Sequence, residues 1–248
     1  MGVAIIPNAK LRMALYSDSA YYEERKFWDL ENCSSFQLSF SEDEKQVLDY
    51  RTGTGGIDAS VKRISSSNGQ MDLRHFVPAN LAKIFWGTSS ALTATPITGE
   101  SGYKVRVGYF TPTKRIIDTT VAPVVHKGGT TVSTSDYTVS PGGLLWSGTL
   151  TTNGLSDGDS VTIDYTPKLG NDVQAIISTA PEVSLHAEGI NQVDSKYWIV
   201  RIWKAKIGVA QNIPFIGDDF ATFALSFTAT KDETRLTGSQ YFDLQINS

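Results

Sequence analysis

The chain of 248 residues holds a single cysteine, Cys33. No intramolecular disulfide can form, so nothing in its cysteine use calls for an oxidising compartment. Charge is sparse as well: charged residues make up 19%, below the roughly 25% usual in soluble domains. No run of Lys or Arg occurs; Lys104 with Arg106 and Lys114 with Arg115 come nearest and read as solvated strand charges. The formal net charge is -4 and the pI about 5.4. The chain thus lacks the basic patch by which nucleic-acid binders neutralise phosphates. Long apolar runs are also missing. Met1-Gly2-Val3-Ala4-Ile5-Ile6-Pro7 is too short for a signal peptide, and no later stretch has the length of a membrane span. Ile6 stands where N-myristoylation after Gly2 needs Ser or Thr. Synthesis in a reducing cytoplasm, without a membrane anchor, is the expectation.

Constellations for chemistry are thin. His75, His126 and His186 lie far apart, and none has a second His or Cys at metal-ligand spacing. Cys33, between Asn32 and Ser34 at a strand start, reads as an unreactive thiol. Gly53-Thr54-Gly55-Gly56 fails the dinucleotide spacing at Asp58, with no helix following. Gly99-Glu100-Ser101-Gly102 is one residue short of a nucleophile elbow. Asp157-Gly158-Asp159 lacks the further ligands of a calcium loop and reads as a turn. Asp218 and Asp219 are adjacent, so their side chains diverge, and a turn before the Phe220 strand is the plainer reading. Neither an enzyme nor a cofactor site is expected.

Ser, Thr and Gly fill the place of the missing charges, and the strand pattern is strong. Phe36, Leu38 and Phe40 alternate with Ser35, Gln37 and Ser39; Val183, Leu185 and Ala187 with Ser184, His186 and Glu188. Phe223, Leu225, Phe227 and Ala229 alternate likewise with Thr222, Ala224, Ser226 and Thr228. A period of two with one apolar face predicts half-buried antiparallel strands. Tyr197–Ile207 is apolar on both faces for much of its length, as a central strand would be, or one covered on its second face by another element. A helix is predicted over 75–86, from the stripe Phe76, Val77, Leu81, Ile84 and Phe85, with Pro78 in its first turn and Gly87 past its end. Ser17–Leu30 reads as a short capped helix with docking aromatics.

Over 111–167 charges thin out and short strands alternate with turn signals such as Gly128-Gly129 and Pro141-Gly142-Gly143. Strong strand patterns on both sides make this stretch an inserted small β domain in a discontinuous core, 1–110 plus 168–248. The fold class expected is mainly β: two packed antiparallel sheets, sandwich or barrel, with one flanking α-helix and the insert.

Two stretches carry a family resemblance. The first is Glu31-Asn32-Cys33-Ser34-Ser35-Phe36-Gln37-Leu38-Ser39-Phe40, a charged excursion to Gly56, and the segment Asn80-Leu81-Ala82-Lys83-Ile84-Phe85-Trp86-Gly87. The second runs from Val183 through Tyr197–Ile207 and Ile213-Pro214-Phe215-Ile216-Gly217-Asp218-Asp219-Phe220 to the strand ending at Thr230, with Tyr241-Phe242-Asp243-Leu244 after it. In order and type these resemble the tail tube (major tail) proteins of tailed bacteriophages, over about two thirds of the chain. The resemblance implies a virion protein that forms hexameric rings with itself. The rings would stack into a tube through which phage DNA passes without specific binding, joined to tail tip or baseplate and tail terminator proteins. It also implies a loop that reaches the neighbouring ring, here about Glu42 to Gly56: Glu42, Lys45, Asp49, Tyr50, Arg51, Gly53, Gly55 and Gly56, with help from the N-terminal arm. A second reading stays open: a β-sandwich recognising cell-surface carbohydrate, with Tyr137, Trp146 and Tyr165 of the insert stacked on sugar rings or else buried in its core.

Overall fold

The computed structural model describes residues 7–48, 50–51, 56–75, 77–210, 215–218 and 220–247. The protein is mainly β, with antiparallel sheets and, among the described residues, a single α-helix. The strands in chain order are β1 (Pro7–Leu15), β2 (Trp28–Asp29), β3 (Cys33–Leu48), β4 (Ile57–Leu73), β5 (Thr88–Leu92), β6 (Ile97–Lys104), β7 (Phe110–Pro112), β8 (Val124–Lys127) and β9 (Thr130–Thr131). They continue with β10 (Tyr137–Ser140), β11 (Gly143–Trp146), β12 (Ser160–Tyr165), β13 (Gly170–Gln174), β14 (Glu182–Asn191), β15 (Tyr197–Ile207), β16 (Phe223–Ala229) and β17 (Phe242–Ile246). The helix α1 is Pro78–Ile84. The chain divides into two compact units: Met1–Ser89 with Val173–Ser248, and Ser90–Asp172.

The first unit is built on one antiparallel sheet in the order β2-β1-β14-β15-β16-β4-β3. The strand β15, apolar for much of its length, is central. It pairs with β14 along one edge and shares the other, Ala205–Ile207 with β16 and Trp198–Ile202 with β17. Alternation puts Leu185 and Ala187 of β14, Ile202 of β15 and Leu225 and Phe227 of β16 on the buried face, together with Leu11 and Met13 of β1. Burying each large aliphatic or aromatic side chain contributes about 1.5–3 kcal/mol. The sheet curls: Phe36 of β3 stacks on Phe227 at 5.7 Å between ring centroids, and Phe40 on Phe242 at 5.6 Å. Gly69 makes the first contact possible, because a Cβ there would stand 2.0 Å from the Phe227 ring.

Two sequence expectations change in detail. The helix is shorter than 75–86. Its left-handed terminal residue is Trp86, at φ 52°, rather than Gly87. Gly87 serves close packing instead, since a Cβ there would lie 1.8 Å from the Gln174 carbonyl oxygen. Phe76 lies outside the described residues. The segment after β1 forms two 3₁₀ turns, Tyr16–Asp18 and Tyr22–Glu24, instead of a helix. Tertiary partners override the cap signal there. The Tyr22 hydroxyl donates to the Leu185 carbonyl, and its ring meets Trp203 edge-on at 5.0 Å. The buried Arg25 guanidinium donates to the carbonyls of Ser19, Ala20 and Trp203 and to the Ser184 hydroxyl, and lies 4.3 Å over the Tyr16 ring. These bonds hold the segment extended after residue 24.

The second unit is wider than the 111–167 excursion that composition outlines. The strand β6 pairs with β12, and Tyr103 and Val105 join the unit's core, so the chain before residue 111 belongs to it. Its sheets run β6-β12-β8-β9 and β10-β11-β7. Tyr137, Trp146 and Tyr165 are 6%, 2% and 4% exposed. The Trp146 indole donates to the Thr111 hydroxyl, and the Tyr165 hydroxyl to Glu100. These rings are therefore core and present no stacking platform to a sugar. Beside them Asp136 is fully buried. Burial opposes its ionisation, but hydrogen bonds from Thr151 and Thr152 outweigh that and bring its pKa down to about 2.

Candidate assembly surface

The 42–56 segment, expected as a loop, is mostly strand. From Glu42↔Ile64 to Leu48↔Ile57 it continues the ladder between β3 and β4, with irregularities at Ser41/Glu42 and Val47/Leu48. The reason is in the residues themselves: Val47, Ile57 and Val61 favour strands, and Glu42 and Glu44 flank Lys62 across the ladder at 3.7 and 3.9 Å. These ion pairs are exposed and each contributes well under about 1 kcal/mol. The strands have 16 and 17 residues, against the usual five or six. Every described residue from Ser39 to Ser65 is exposed. The outer part of the hairpin is thus a two-stranded arm that none of the described residues covers.

Of the eight expected contact residues, Glu42 and Lys45 lie in β3, on opposite faces of the arm. Tyr50, 85% exposed, and Arg51 lie past the end of β3. Gly56 is exposed, with open space around it. Asp49, Gly53 and Gly55 lie outside the described residues. What the charge pattern did not reveal is the apolar content of the arm. Val47, Ala59 and Val61 share the Lys45 face, and Ile64 stands among charges on the other; Val47, Val61 and Ile64 are 58%, 53% and 67% exposed. The alternation Ile57, Ala59, Val61 is the signal that could have pointed to them.

The residues with chemical potential are dispersed. His126 Nε2 lies 3.2 Å from Asp164 in the second unit, and His75 is exposed. In the first unit His186 Nδ1 sits 3.1 Å from the Tyr22 hydroxyl, with its pKa lowered mainly by burial. The Cys33 thiol donates to the Ser35 carbonyl at 3.0 Å, and burial pushes its pKa up, away from thiolate chemistry. Asp157 accepts the Val107 amide, and Asp159 pairs with Lys127 at 2.5 Å, so both serve a turn. Asp218 is exposed, Asp219 lies outside the described residues, and the next strand, β16, starts at Phe223 rather than Phe220. Among the described residues no group of three or more His, Cys, Asp or Glu could hold a metal ion, and no helix is long and apolar enough to cross a membrane.

Fold and surface together define a two-unit antiparallel β protein with a projecting hairpin arm. The chain belongs to the family described as protein of unknown function UCP028589, which matches residues 16–245. No curated protein matches it.

Proposed function

We propose that this chain is a structural subunit that assembles with copies of itself, as a tail tube protein of a bacteriophage virion. The observation that carries the proposal is the arm. An isolated two-stranded ribbon is marginal in water, and an exposed edge of this length with apolar side chains on it invites pairing with another chain. A neighbouring subunit that covers Val47, Val61 and Ile64 supplies what the described residues of the subunit leave uncovered. The hexameric ring, the stacking into a tube, DNA passage through the bore and capping by tip and terminator proteins follow from the sequence resemblance. The net charge of -4 suits a bore that phosphate must cross without adhering.

Negative-stain electron microscopy of the purified protein tests this: rings or tubes with an open bore are expected. The ladder dictates how to remove the arm. Deleting 42–56 alone would strand Ile57–Ile64, so 42–65 is replaced by Asn-Gly, which joins paired strand ends by a two-residue turn. That variant is expected to stay folded and monomeric. A wild-type chain that remains monomeric at every concentration, or an armless variant that forms the same tubes, would overturn the proposal.

A further inference from the structure

The core of the first unit runs out before its sheet does. Ile202 of β15 is fully buried. Nearer the start of β15 the sheet opens into an apolar cleft of ≈ 530 Å³, walled by Phe36 and Phe40 of β3, Trp198 and Val200 of β15, and Leu244 and Ile246 of β17. Phe40, Leu244 and Ile246 are 45%, 53% and 57% exposed. The mouth carries one charge of each sign, Asp194 and Lys196. An open apolar cleft of this size marks a place that something covers, and none of the described residues fills it.

The arm carries an uncovered surface of matching kind. Lys45↔Val61 and Val47↔Ala59 are cross-strand pairs, so Val47, Ala59 and Val61 share one face. These apolar positions span about 7 Å along the arm, and the Phe242–Ile246 wall of the cleft is about 13 Å long at the rise of a strand. Lys45 borders the apolar positions, and the Asp43↔Arg63 pair follows on the same face nearer the base. Each sign of charge on that face therefore has an opposite to meet at Asp194 or Lys196. The arm does not serve the cleft of its own subunit. The strand β3 is cleft wall up to Phe40 and arm from Glu42, and Val47 lies seven residues past Phe40, about 20 Å further along the strand. We infer that the Val47–Val61 face of one copy's arm docks in the cleft between β3, β15 and β17 of a second copy. Donor and acceptor surfaces differ, so the contact can propagate from subunit to subunit into a ring or filament. The inference rests on the self-assembly proposed above and names the surface that receives the arm.

Cross-linking between copies tests it. In a Cys33→Ser background, a Val47→Cys subunit is mixed with a Leu244→Cys subunit and treated with a short bismaleimide. A covalent dimer of the two variants is expected, well above the yield from either variant alone. It should also exceed a control that pairs Val47→Cys with Tyr21→Cys, 69% exposed and outside the cleft. Cross-linking no better than the control would overturn the inference. So would a higher yield with Leu244→Cys from Ile216→Cys, 97% exposed after β15, than from Val47→Cys. If electron microscopy shows that the same mixtures assemble, either result leaves the proposed function standing; a wild-type chain that never assembles removes both. Critical concentrations give a second readout. Leu244→Ser with Ile246→Ser, each about half exposed in the subunit, is expected to raise the critical concentration about 30-fold. Adding Val47→Ser and Val61→Ser should then raise it by clearly less than the product of the two separate effects, because residues in contact couple. Effects that simply multiply would also overturn the inference.

Discussion

Replacing Val47 and Val61 together by Ser separates assembly from folding. The two residues are diagonal neighbours on one face of the arm, since Val47 faces Ala59 and Val61 faces Lys45. They are already 58% and 53% exposed in the subunit, so the fold loses little. Only strand propensity is affected, and the cost to unfolding stays within about 1 kcal/mol. If a neighbouring subunit covers the arm, that exposed half of each side chain is removed from water on assembly. Full burial of a valine side chain contributes at least about 1.5 kcal/mol, so the exposed halves amount to about 1 kcal/mol each and about 2 together. That is about a 30-fold rise in the critical concentration for assembly. Sedimentation of a dilution series measures the critical concentration, and urea unfolding of the dilute chain measures stability. A critical concentration within about threefold of wild type, with stability unchanged, would refute the reasoning that this face is buried between subunits.

Further outcomes concern the two units. Gly69→Ala places a Cβ 2.0 Å from the Phe227 ring and 2.6 Å from the Gln37 carbonyl, and should destabilise by about 1–3 kcal/mol or more. Gly56→Ala, with nothing within 4 Å, should leave the urea midpoint in place, and equal midpoints for the two would contradict the packing described. Arg25→Lys keeps the charge but not the four-way donation to Ser19, Ala20, Ser184 and Trp203. A loss of about 2 kcal/mol in denaturant unfolding is expected from the acceptors left buried, and a neutral result would mean that the segment is not held by that side chain. Asp136→Asn turns an amide towards the Thr152 N–H that now donates to the carboxylate. Hydrogen exchange should speed up over 134–152 while β14 and β15 keep their protection. Because the folded pKa of Asp136 is about 2, its stabilisation is complete above the ordinary carboxylate range near 4 and is lost as pH falls from about 4 towards 2. Acid unfolding of the second unit without change in that window, relative to Asp136→Asn, would argue against the assignment.

The strands were legible because alternation is a local property. Phe36, Leu38 and Phe40, the Val183–Glu188 pattern and Tyr197–Ile207, apolar on both faces for much of its length, each name a buried face without reference to a partner. The arm was legible as a charged excursion but not as a hairpin. Mixed charge and glycine describe a loop equally well, and the cross-strand neighbours of Lys62, Glu42 and Glu44, are about 20 residues away in the chain. The short helix after β1 was misread for a related reason: the cap signals around Ser17 are real, but Arg25 and Tyr22 find stronger partners on β14 and β15.

By itself the sequence determined the mainly β class, the centrality of β15, the discontinuous arrangement around an insert, and the lack of a disulfide. All of these follow from composition and from periodicity along the chain. Tertiary structure alone decided that Tyr137, Trp146 and Tyr165 are core rather than sugar platforms, that the second unit begins at Ser90, that Gly69 stands under Phe227, and that the core of the first unit opens into an apolar cleft between β3, β15 and β17. Each of these depends on which distant faces meet. A period of two says that a face is apolar, but not what covers it.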